Sequence, residues 1–378
     1  MRSLTLSALL LGCVGQPQLS ATKPGTLIPA SRPTSRADEV LVGRVDSFTK
    51  ARVAIDSLSG VVLLTHDGVP IYAFAAGFAD RSTGARNDLD TKFNLASVDK
   101  YFTRIAIWQL AQAGKLAVND TVGKHIRDYP NARVRSSVTI RQLLDMRSGI
   151  GDFDDDNGKT YRAALPRLRT IDDYLALFAT DTLNFAPGTK AEYSNGGYVV
   201  LGKIIERASG ESYYDYVRRH IFEPAGMSNT GYWVRGERVA NLAIGYTADP
   251  SVNGETTPGA LPLKERRPNT SLLAYRGSSA GGGYSTANDL LKLANALSAH
   301  RLLNTAFTDS LLRIRRTGPG EFDFDGWQGG AEGINTSFYM HSTGHTLIVL
   351  SNYDPPSANV YRAAMWREWL PEWLKLAK

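Results

Sequence analysis

Phe93-Asn94-Leu95-Ala96-Ser97-Val98-Asp99-Lys100-Tyr101-Phe102-Thr103 places a serine and a lysine three residues apart at the start of a predicted helix over 98–113. Residues at this spacing share one helix face, so the Lys100 amine can reach the Ser97 hydroxyl. The helix dipole and free N–H groups at a helix start favour a negatively charged oxygen. The apolar residues lie nearly all round this helix, which predicts burial, and a buried lysine can lose its proton and act as a base. Alone, S-x-x-K is a weak signal.

A second candidate group is Tyr193-Ser194-Asn195, which follows Pro187-Gly188 and precedes a predicted helix over 197–209. A tyrosine hydroxyl can relay a proton to a leaving group. An asparagine amide can hold a substrate carbonyl or orient a lysine. The structural alternative is that Ser194 or Asn195 only caps the helix.

Strand patterns occur at both ends of the chain, with helical patterns between them. The order predicts an α/β (α+β) fold, in which both chain ends form an antiparallel sheet with flanking helices and a helical lobe is inserted. We expect one domain over 38–376, with a sheet lobe at about 38–96 and 287–376 and a helical lobe at about 97–286. The predicted strands are 60–65, 70–76, 334–340 and 346–352, and the predicted helices are 39–54, 98–113, 139–146, 171–179, 197–209, 212–221, 286–299 and 357–376.

Six motifs occur in a characteristic order along most of the chain, from about residue 45 to 353. They are 93–103, Thr139-Ile140-Arg141-Gln142-Leu143-Leu144, Ser148-Gly149, Tyr193-Ser194-Asn195, Glu223-Pro224-Ala225-Gly226-Met227 and Ala280-Gly281-Gly282-Gly283-Tyr284-Ser285-Thr286. Together they resemble the class C β-lactamase-related serine hydrolases. That superfamily includes class C β-lactamases, D-Ala-D-Ala carboxypeptidases and other penicillin-binding proteins, D-amino-acid amidases and family VIII-type esterases.

The resemblance implies a β-lactamase/transpeptidase-like fold and a serine hydrolase that forms an acyl-enzyme on Ser97. Lys100 and Tyr193 would share the general-base and general-acid work, and Asn195 would help to position the substrate. Two backbone N–H groups, those of Ser97 and Gly330, would form the oxyanion hole. We expect no metal and no other cofactor.

The third family motif is altered in this sequence. The family has Lys-Thr-Gly, or His followed by small residues, where this chain has Trp327-Gln328-Gly329-Gly330. A tryptophan offers one N–H donor and no charge, whereas carboxylate recognition favours a cation. We therefore expect Trp327 and Gln328 to contact an uncharged acyl ester or amide, which favours a carboxylesterase-like activity.

Two alternatives to the esterase stay open. One is a penicillin-binding protein, D-Ala-D-Ala carboxypeptidase or β-lactamase-like enzyme. The other is a catalytically weak binding protein of the same fold, which the altered segment at Trp327 motivates.

The N-terminus predicts export. Met1-Arg2 precedes an apolar run over 4–11, and Leu10-Leu11-Gly12-Cys13 resembles a bacterial lipoprotein signal. Residues 1–12 would be the signal peptide, Cys13 would be lipidated, and the proline-rich 13–37 would be a disordered tether. The alternative is a secretory signal cleaved near Ala21. Either interpretation predicts a periplasmic or cell-envelope protein, and the lipidated form would be anchored to the membrane.

Composition excludes several other classes. The 378 residues are 43% hydrophobic and 21% charged, which is ordinary for a folded protein. The formal charge of +6 is scattered without interleaved aromatic residues, so we expect a small ester or amide as partner and no nucleic acid. Oligomeric state is left open.

Three further patterns resemble sites and are interpreted as structural. Gly277-Ser278-Ser279-Ala280-Gly281 matches G-x-S-x-G, but a polar loop precedes it, so we expect a glycine-rich turn that lines the site. His341 and His345 lie in a predicted turn rather than on a helix, which disfavours a zinc pair. The acidic residues of 152–156 fail the EF-hand pattern and predict a solvated loop at the rim of the cleft.

Overall fold

The computed structural model describes residues 35–153, 158–248, 266–312 and 325–377, together with the backbone of 26–27. The predicted signal peptide at 1–12 and the predicted lipidation site at Cys13 lie outside the described residues. No helix in the described part of the chain is both long enough and apolar enough to cross a bilayer.

Strands from both chain ends form one six-stranded antiparallel sheet, in the order β1-β3-β2-β12-β11-β10. Its central pairing joins β2 to β12, with Val62 opposite Val349. The strands are β1 Thr26–Leu27, β2 Gly60–His66, β3 Val69–Ala76, β4 Phe78–Asp80, β5 Ala85–Arg86, β6 Phe93–Asn94, β7 Tyr246–Thr247, β8 Arg267–Pro268, β9 Tyr284–Ser285, β10 Asp325–Ala331, β11 Ile334–Met340 and β12 His345–Ser351.

Helices cover both faces of this sheet, which is why β2 is apolar at consecutive positions. Val61 and Leu63 pack into the core shared with the helical lobe, whereas Val62 and Leu64 pack against the helices at the chain ends. Alternate residues of a strand point to opposite faces, so a strand buried on both sides reads as a continuous apolar run.

The helices occupy the middle and the ends of the chain. They are α1 Arg36–Ala54, α2 Lys100–Gln112, α3 Val122–His125, α4 Ala132–Ser137, α5 Ile140–Leu144, α6 Lys159–Ala164, α7 Ile171–Leu175, α8 Asn195–Ser209, α9 Tyr213–Val217, α10 Glu223–Ala225, α11 Ala287–Ser298, α12 Thr305–Leu311, α13 Asn359–Ala364 and α14 Leu370–Leu376. The predicted burial of α2 is confirmed, because nearly all of its side chains are buried.

The C-terminal helices pack on the back of the sheet. The sequence predicts an interruption at Pro371, yet α13 continues through a π-helical turn, Met365–Trp369, into α14. Pro371 lies in the first turn of α14, directly after the π-helical turn. Trp369 is buried and stacks edge-on against Phe48 of α1.

The boundary of the predicted tether differs in the structure. The backbone of Thr26–Leu27 pairs with the edge of β3, and α1 begins at Arg36 with the Ser35 hydroxyl accepting from the Asp38 N–H. The prediction of a disordered 13–37 is therefore corrected at these positions, since unpaired backbone at a sheet edge can still capture a short extended segment. The antiparallel sheet with flanking helices and a helical lobe is confirmed.

Candidate active site

Ser97 lies in a tight helical turn, Ala96–Asp99, that runs directly into α2. The residue before it, Ala96, has a positive φ of 44°, which is unfavourable for a residue with a Cβ. The Asn94 side-chain oxygen accepts the Ala96 N–H at 2.9 Å and holds this conformation. The turn leaves Ser97 half-buried on the wall of a cleft rather than inside the core.

Lys100 is fully buried one turn after Ser97. Its Nζ lies 3.1 Å from Ser97 Oγ, 2.6 Å from Asn195 Oδ1 and 2.5 Å from the carbonyl oxygen of Ala280. Burial lowers the pKa of Lys100 to about 7, although the charges of Asp152 and Asp99 act in the opposite direction. The amine is therefore partly neutral at neutral pH.

Asp152 fixes which way the Asn195 amide faces. Its Oδ2 accepts from both the backbone N–H and the side-chain Nδ2 of Asn195, at 3.1 and 2.8 Å. The amide nitrogen therefore points at Asp152 and the amide oxygen at Lys100. The sequence analysis placed Asp152 in a solvated acidic loop. It missed the contact with Asn195, because the two residues are 43 positions apart in the chain. Residues 154–157 of that loop lie outside the described residues.

Lys100 Nζ donates to three oxygen atoms, Ser97 Oγ, Asn195 Oδ1 and the Ala280 carbonyl oxygen. Asn195 Oδ1 and the Ala280 carbonyl can only accept, so in the neutral –NH₂ form they take both amine protons. In that form the nitrogen lone pair faces the Ser97 hydroxyl. On the other side, Tyr193 OH lies 2.5 Å from Ser97 Oγ. Tyr193 is 51% exposed, so its hydroxyl is reachable from the cleft.

Ser194 takes the capping role at the start of α8, where its Oγ accepts the Gly197 N–H at 2.8 Å. This leaves the side chain of Asn195, the first residue of the helix, available to Lys100. The structure thus brings Ser97, Lys100, Tyr193 and Asn195 together from two separate segments of the chain.

Strand β10 runs past the serine turn. A Cβ on Gly329 would lie 2.3 Å from the Leu95 carbonyl oxygen and 2.9 Å from the Ser97 nitrogen, so only glycine permits this approach. Gly330 lines the cleft together with Ser97.

The two side chains before Gly329 lie on opposite faces of β10, because side chains alternate along a strand. Trp327 lies on the serine side, where its ring packs against Tyr198 at 5.6 Å and does not line the cleft itself. The Gln328 amide donates to the Asn359 carbonyl at 3.5 Å, on the α13 side. The predictions that Trp327 and Gln328 contact the substrate are both corrected by this placement.

The glycine-rich turn lines the cleft, as predicted, through Gly277, Ser278, Gly281 and Gly282. Ser279 is fully buried, and its Oγ donates to the Tyr198 carbonyl at 2.8 Å, so it is not available for attack.

Asp99 holds the end of this turn by accepting the Gly283 N–H. Burial raises the pKa of Asp99 to about 7. Sequence analysis gave Asp99 no role, since nothing near it in the chain indicates that glycine-rich partner.

The cleft has a volume of about 300 Å³ and a mostly aromatic and aliphatic wall with a few polar groups. This composition is typical of sites for small organic ligands. Its apolar wall comes from Phe153, Tyr161, Tyr174, Trp233, Leu272 and Leu273. Arg235 and Glu332 are the charged residues among those that line it.

One cluster of possible metal ligands lies away from the cleft, on the back face of the sheet: Asp38, His66 and His345. The two imidazole rings are stacked 4.2 Å apart and only 12° from parallel. Lone pairs in two parallel ring planes cannot both point at one ion. The cluster is better described as a hydrogen-bonded clamp, in which both rings contact the Asp38 carboxylate.

Comparison with known proteins identifies the family. The Beta-lactamase family model matches residues 45–366. Penicillin-binding protein 4* of Bacillus subtilis (strain 168) is 31% identical over 273 residues, covering 70% of this chain and 57% of that protein. The chain thus spans little more than half the length of that relative.

Two solved structures share the fold. A penicillin-binding protein from Bacillus halodurans superposes with a TM-score of 0.69 at 28% identity, covering 86% of this chain and 98% of its own. EstCE1, described as a hydrolase with promiscuous acyltransferase activity, has a TM-score of 0.67 at 23% identity, covering 87% and 98%.

The family model covers most of the chain, and the similar proteins include penicillin-binding proteins and a hydrolase. A buried lysine beside a serine on a strained turn is one of the arrangements that can activate a serine nucleophile. The protein belongs to the Beta-lactamase family.

Proposed function

We propose that the protein cleaves a small ester, or an amide, through an acyl-enzyme on Ser97, with a carboxylesterase-like activity. One observation carries this proposal: Ser97 Oγ lies 3.1 Å from a buried amine and 2.5 Å from an accessible phenol. A nucleophile in contact with a base, which is itself oriented by a third group, is the usual mark of an activated serine.

The contacts of Ser97 with Lys100 and Tyr193 define the proton transfers of the proposed acylation. The neutral Lys100 amine takes the Ser97 proton as Oγ bonds to the substrate carbonyl carbon, and the carbonyl oxygen becomes an oxyanion. The N–H groups of Ser97, on the strained turn, and of Gly330, on β10, would donate hydrogen bonds to that oxyanion. Tyr193 gives its proton to the departing alcohol or amine as the bond from that group to the acyl carbon breaks, and the Lys100 ammonium passes the proton it took from Ser97 to the Tyr193 oxygen.

Deacylation reverses these roles. Water loses a proton to the Tyr193–Lys100 pair and attacks the acyl carbon, and Ser97 leaves with that proton. Asn195 keeps Lys100 Nζ beside Ser97 in both steps, because Asp152 holds the Asn195 amide. Asp152 and Asn195 are thus a positioning pair for the base.

The cleft favours a small to medium apolar acyl group. Its volume of about 300 Å³ is at the lower end of the range for ligand sites, and aromatic and aliphatic side chains form much of its wall. The family that the motifs resemble has Lys or His at the position of Trp327, and the tryptophan supplies no charge there, which favours an ester over a β-lactam or a peptide C-terminus.

A penicillin-binding or carboxypeptidase-like activity is the second candidate. The similarity to penicillin-binding proteins of two Bacillus species favours it. The third candidate, a catalytically weak binding protein, predicts that no acylating reagent modifies Ser97.

Intact-mass spectrometry after treatment with a fluorophosphonate, a nitrophenyl ester and penicillin separates the three candidates. We expect a fluorophosphonate adduct on Ser97, ester turnover and no stable penicillin adduct. Ser97→Ala should abolish labelling and reduce turnover by at least about a thousandfold while the melting temperature is kept. The matched control, Ser279→Ala, should keep its label on Ser97.

Two results would change the assignment. A stable penicillin adduct on Ser97 would move the protein to the penicillin-binding group. Wild-type turnover in Ser97→Ala would show that the nucleophile lies elsewhere.

We also propose that the protein is exported and anchored in the cell envelope through lipidated Cys13, on the basis of residues 1–13. Mass spectrometry of the N-terminal peptide from the membrane fraction tests this. An N-terminus near residue 22 without a lipid would show instead that a secretory signal is removed.

A further inference from the structure

Arg235 brings a positive charge to the wall of the cleft that the proposed acylation mechanism does not use. It follows the Gly231 to Val234 loop and is half-buried. The sequence analysis assigned no role to Arg235, since nothing in the chain near it indicates a site.

The structure holds this guanidinium in place from two directions. The Arg235 backbone N–H donates to the Tyr275 carbonyl at 2.7 Å, and Nη1 donates to the Leu273 carbonyl at 3.2 Å. Leu272, Leu273 and Ala274 line the same cleft. One of the guanidinium donors is therefore used for anchoring, and the others remain for a ligand.

The two charged residues among the described residues of the cleft differ in their ion pairs. Glu332 also lines it, but the Glu332 carboxylate already pairs with Arg162 at 3.2 Å. Within the described ranges, Arg235 forms no ion pair. A partly desolvated cation without a carboxylate partner attracts an anionic ligand group.

Arg104, the other cationic residue near Trp327, cannot bind an anionic group of the substrate. Arg104 lies 5.8 Å from the Trp327 ring, but it is buried and paired with Asp325 at 3.2 Å. Arg235 is thus the cationic group among the described cleft residues that a substrate can reach.

We propose that Arg235 binds an anionic group of the substrate, so that the ester or amide carries a carboxylate on its acyl or its leaving-group side. This inference rests on the proposed function and refines its substrate class. It revises the expectation of an uncharged substrate, which considered only the residue at position 327. The cation is supplied by a different wall of the cleft.

Two matched pairs of esters test the proposal on the full chain. The first pair is the nitrophenyl monoester of glutaric acid and the nitrophenyl ester of glutaramic acid. On the acyl side the first ester carries a carboxylate, and the second carries a neutral amide in its place. The second pair is 3-carboxyphenyl acetate and 3-carbamoylphenyl acetate, which place the same difference on the leaving group. We expect the wild type to prefer the anionic member of one pair by about tenfold in kcat/KM, mainly through a lower KM.

Arg235→Gln should reduce that preference to about one. Arg238→Gln is the matched control, since Arg238 is exposed on the same loop and does not line the cleft. It should keep the preference. Fluorophosphonate labelling of Ser97 in each variant reports that the site is assembled.

Equal kcat/KM within both pairs for the wild type, or an unchanged preference in Arg235→Gln, would overturn the inference. Neither result would affect the proposed hydrolase activity, which the neutral esters and the label on Ser97 report separately. Failure of the proposed function would instead appear as absence of labelling and of turnover with all four esters.

Discussion

The environment of Lys100 determines what this residue can do at neutral pH. Its amine is enclosed by protein, and two of its three hydrogen-bond partners can only accept. In water a lysine amine is almost entirely protonated at neutral pH and is a poor base. Burial removes the solvation that stabilises the ammonium ion, and this lowers the pKa of Lys100 to about 7.

The rate of Ser97 acylation should follow the ionisation of Lys100. Only the neutral amine accepts the Ser97 proton, so kcat/KM should rise about tenfold per pH unit below pH 7 and level off above it. Stopped-flow measurement of acylation by a nitrophenyl ester from pH 5 to pH 9 checks this profile. A rate that does not change across this range would contradict the role of Lys100 as the base.

The variant Asp99→Asn shows whether Lys100 or the buried Asp99 causes the pH dependence of acylation. The Asp99 charge raises the pKa of Lys100, so its removal should move the rising limb to lower pH. If Asp99 were the titrating group, the limb would disappear in this variant.

Strand β10 and the serine turn form a site only because their backbones nearly touch. Gly329 has no side chain, and this lets β10 approach Leu95 and Ser97 closely enough for Gly330 to line the cleft. The site therefore depends on the glycine at position 329 of β10 as much as on Ser97.

Gly329→Ala should displace β10 and weaken the oxyanion hole. The new Cβ would meet backbone atoms that cannot rotate away, which costs about 1–3 kcal/mol in overpacked cores. We expect acylation to slow by at least about tenfold, since one oxyanion donor is worth more than that. Gly43→Ala is the control, because a Cβ there meets nothing within 4 Å; it should keep its acylation rate. A wild-type rate in Gly329→Ala would show that β10 does not contribute to the site.

A buried network joins the two lobes behind the site. Arg104 on α2 pairs with Asp325 on β10 at 3.2 Å and donates to the Leu311 carbonyl at the end of α12. Tyr101 OH donates to the second Asp325 oxygen at 2.5 Å. These contacts connect elements from distant parts of the chain and keep β10 beside α2, the helix that follows the Ser97 turn.

Breaking this pair should destabilise the whole molecule. Arg104→Met leaves the Asp325 carboxylate buried without a counter-ion, which costs about 3–5 kcal/mol. The double variant Arg104→Met/Asp325→Asn should recover part of that loss, because the unpaired charge is gone. Denaturant unfolding of the two variants and the wild type checks this. A double variant less stable than Arg104→Met would contradict the explanation.

The chain ends close the back of the molecule. Trp373 on α14 donates to Asp38 on α1 at 2.8 Å, and the same carboxylate contacts His66 and His345 from two hairpin ends. This clamp ties both termini to the sheet. The sequence analysis considered His345 only with His341, because spacing along the chain cannot show partners that arrive from other strands.

The sequence by itself predicted the sheet from both chain ends and the buried helix α2, and the resemblance of its ordered motifs to a known family implied the grouping of Ser97, Lys100, Tyr193 and Asn195. Apolar periodicity and ordered motifs are local patterns, and they can be recognised in the sequence without a structure.

Only the tertiary structure decided how Asp152 orients Asn195, why Gln328 faces away from the cleft and which cation lines it. Those properties depend on strand pleat and on contacts between residues tens to hundreds of positions apart. No pattern within a short window of sequence specifies such contacts.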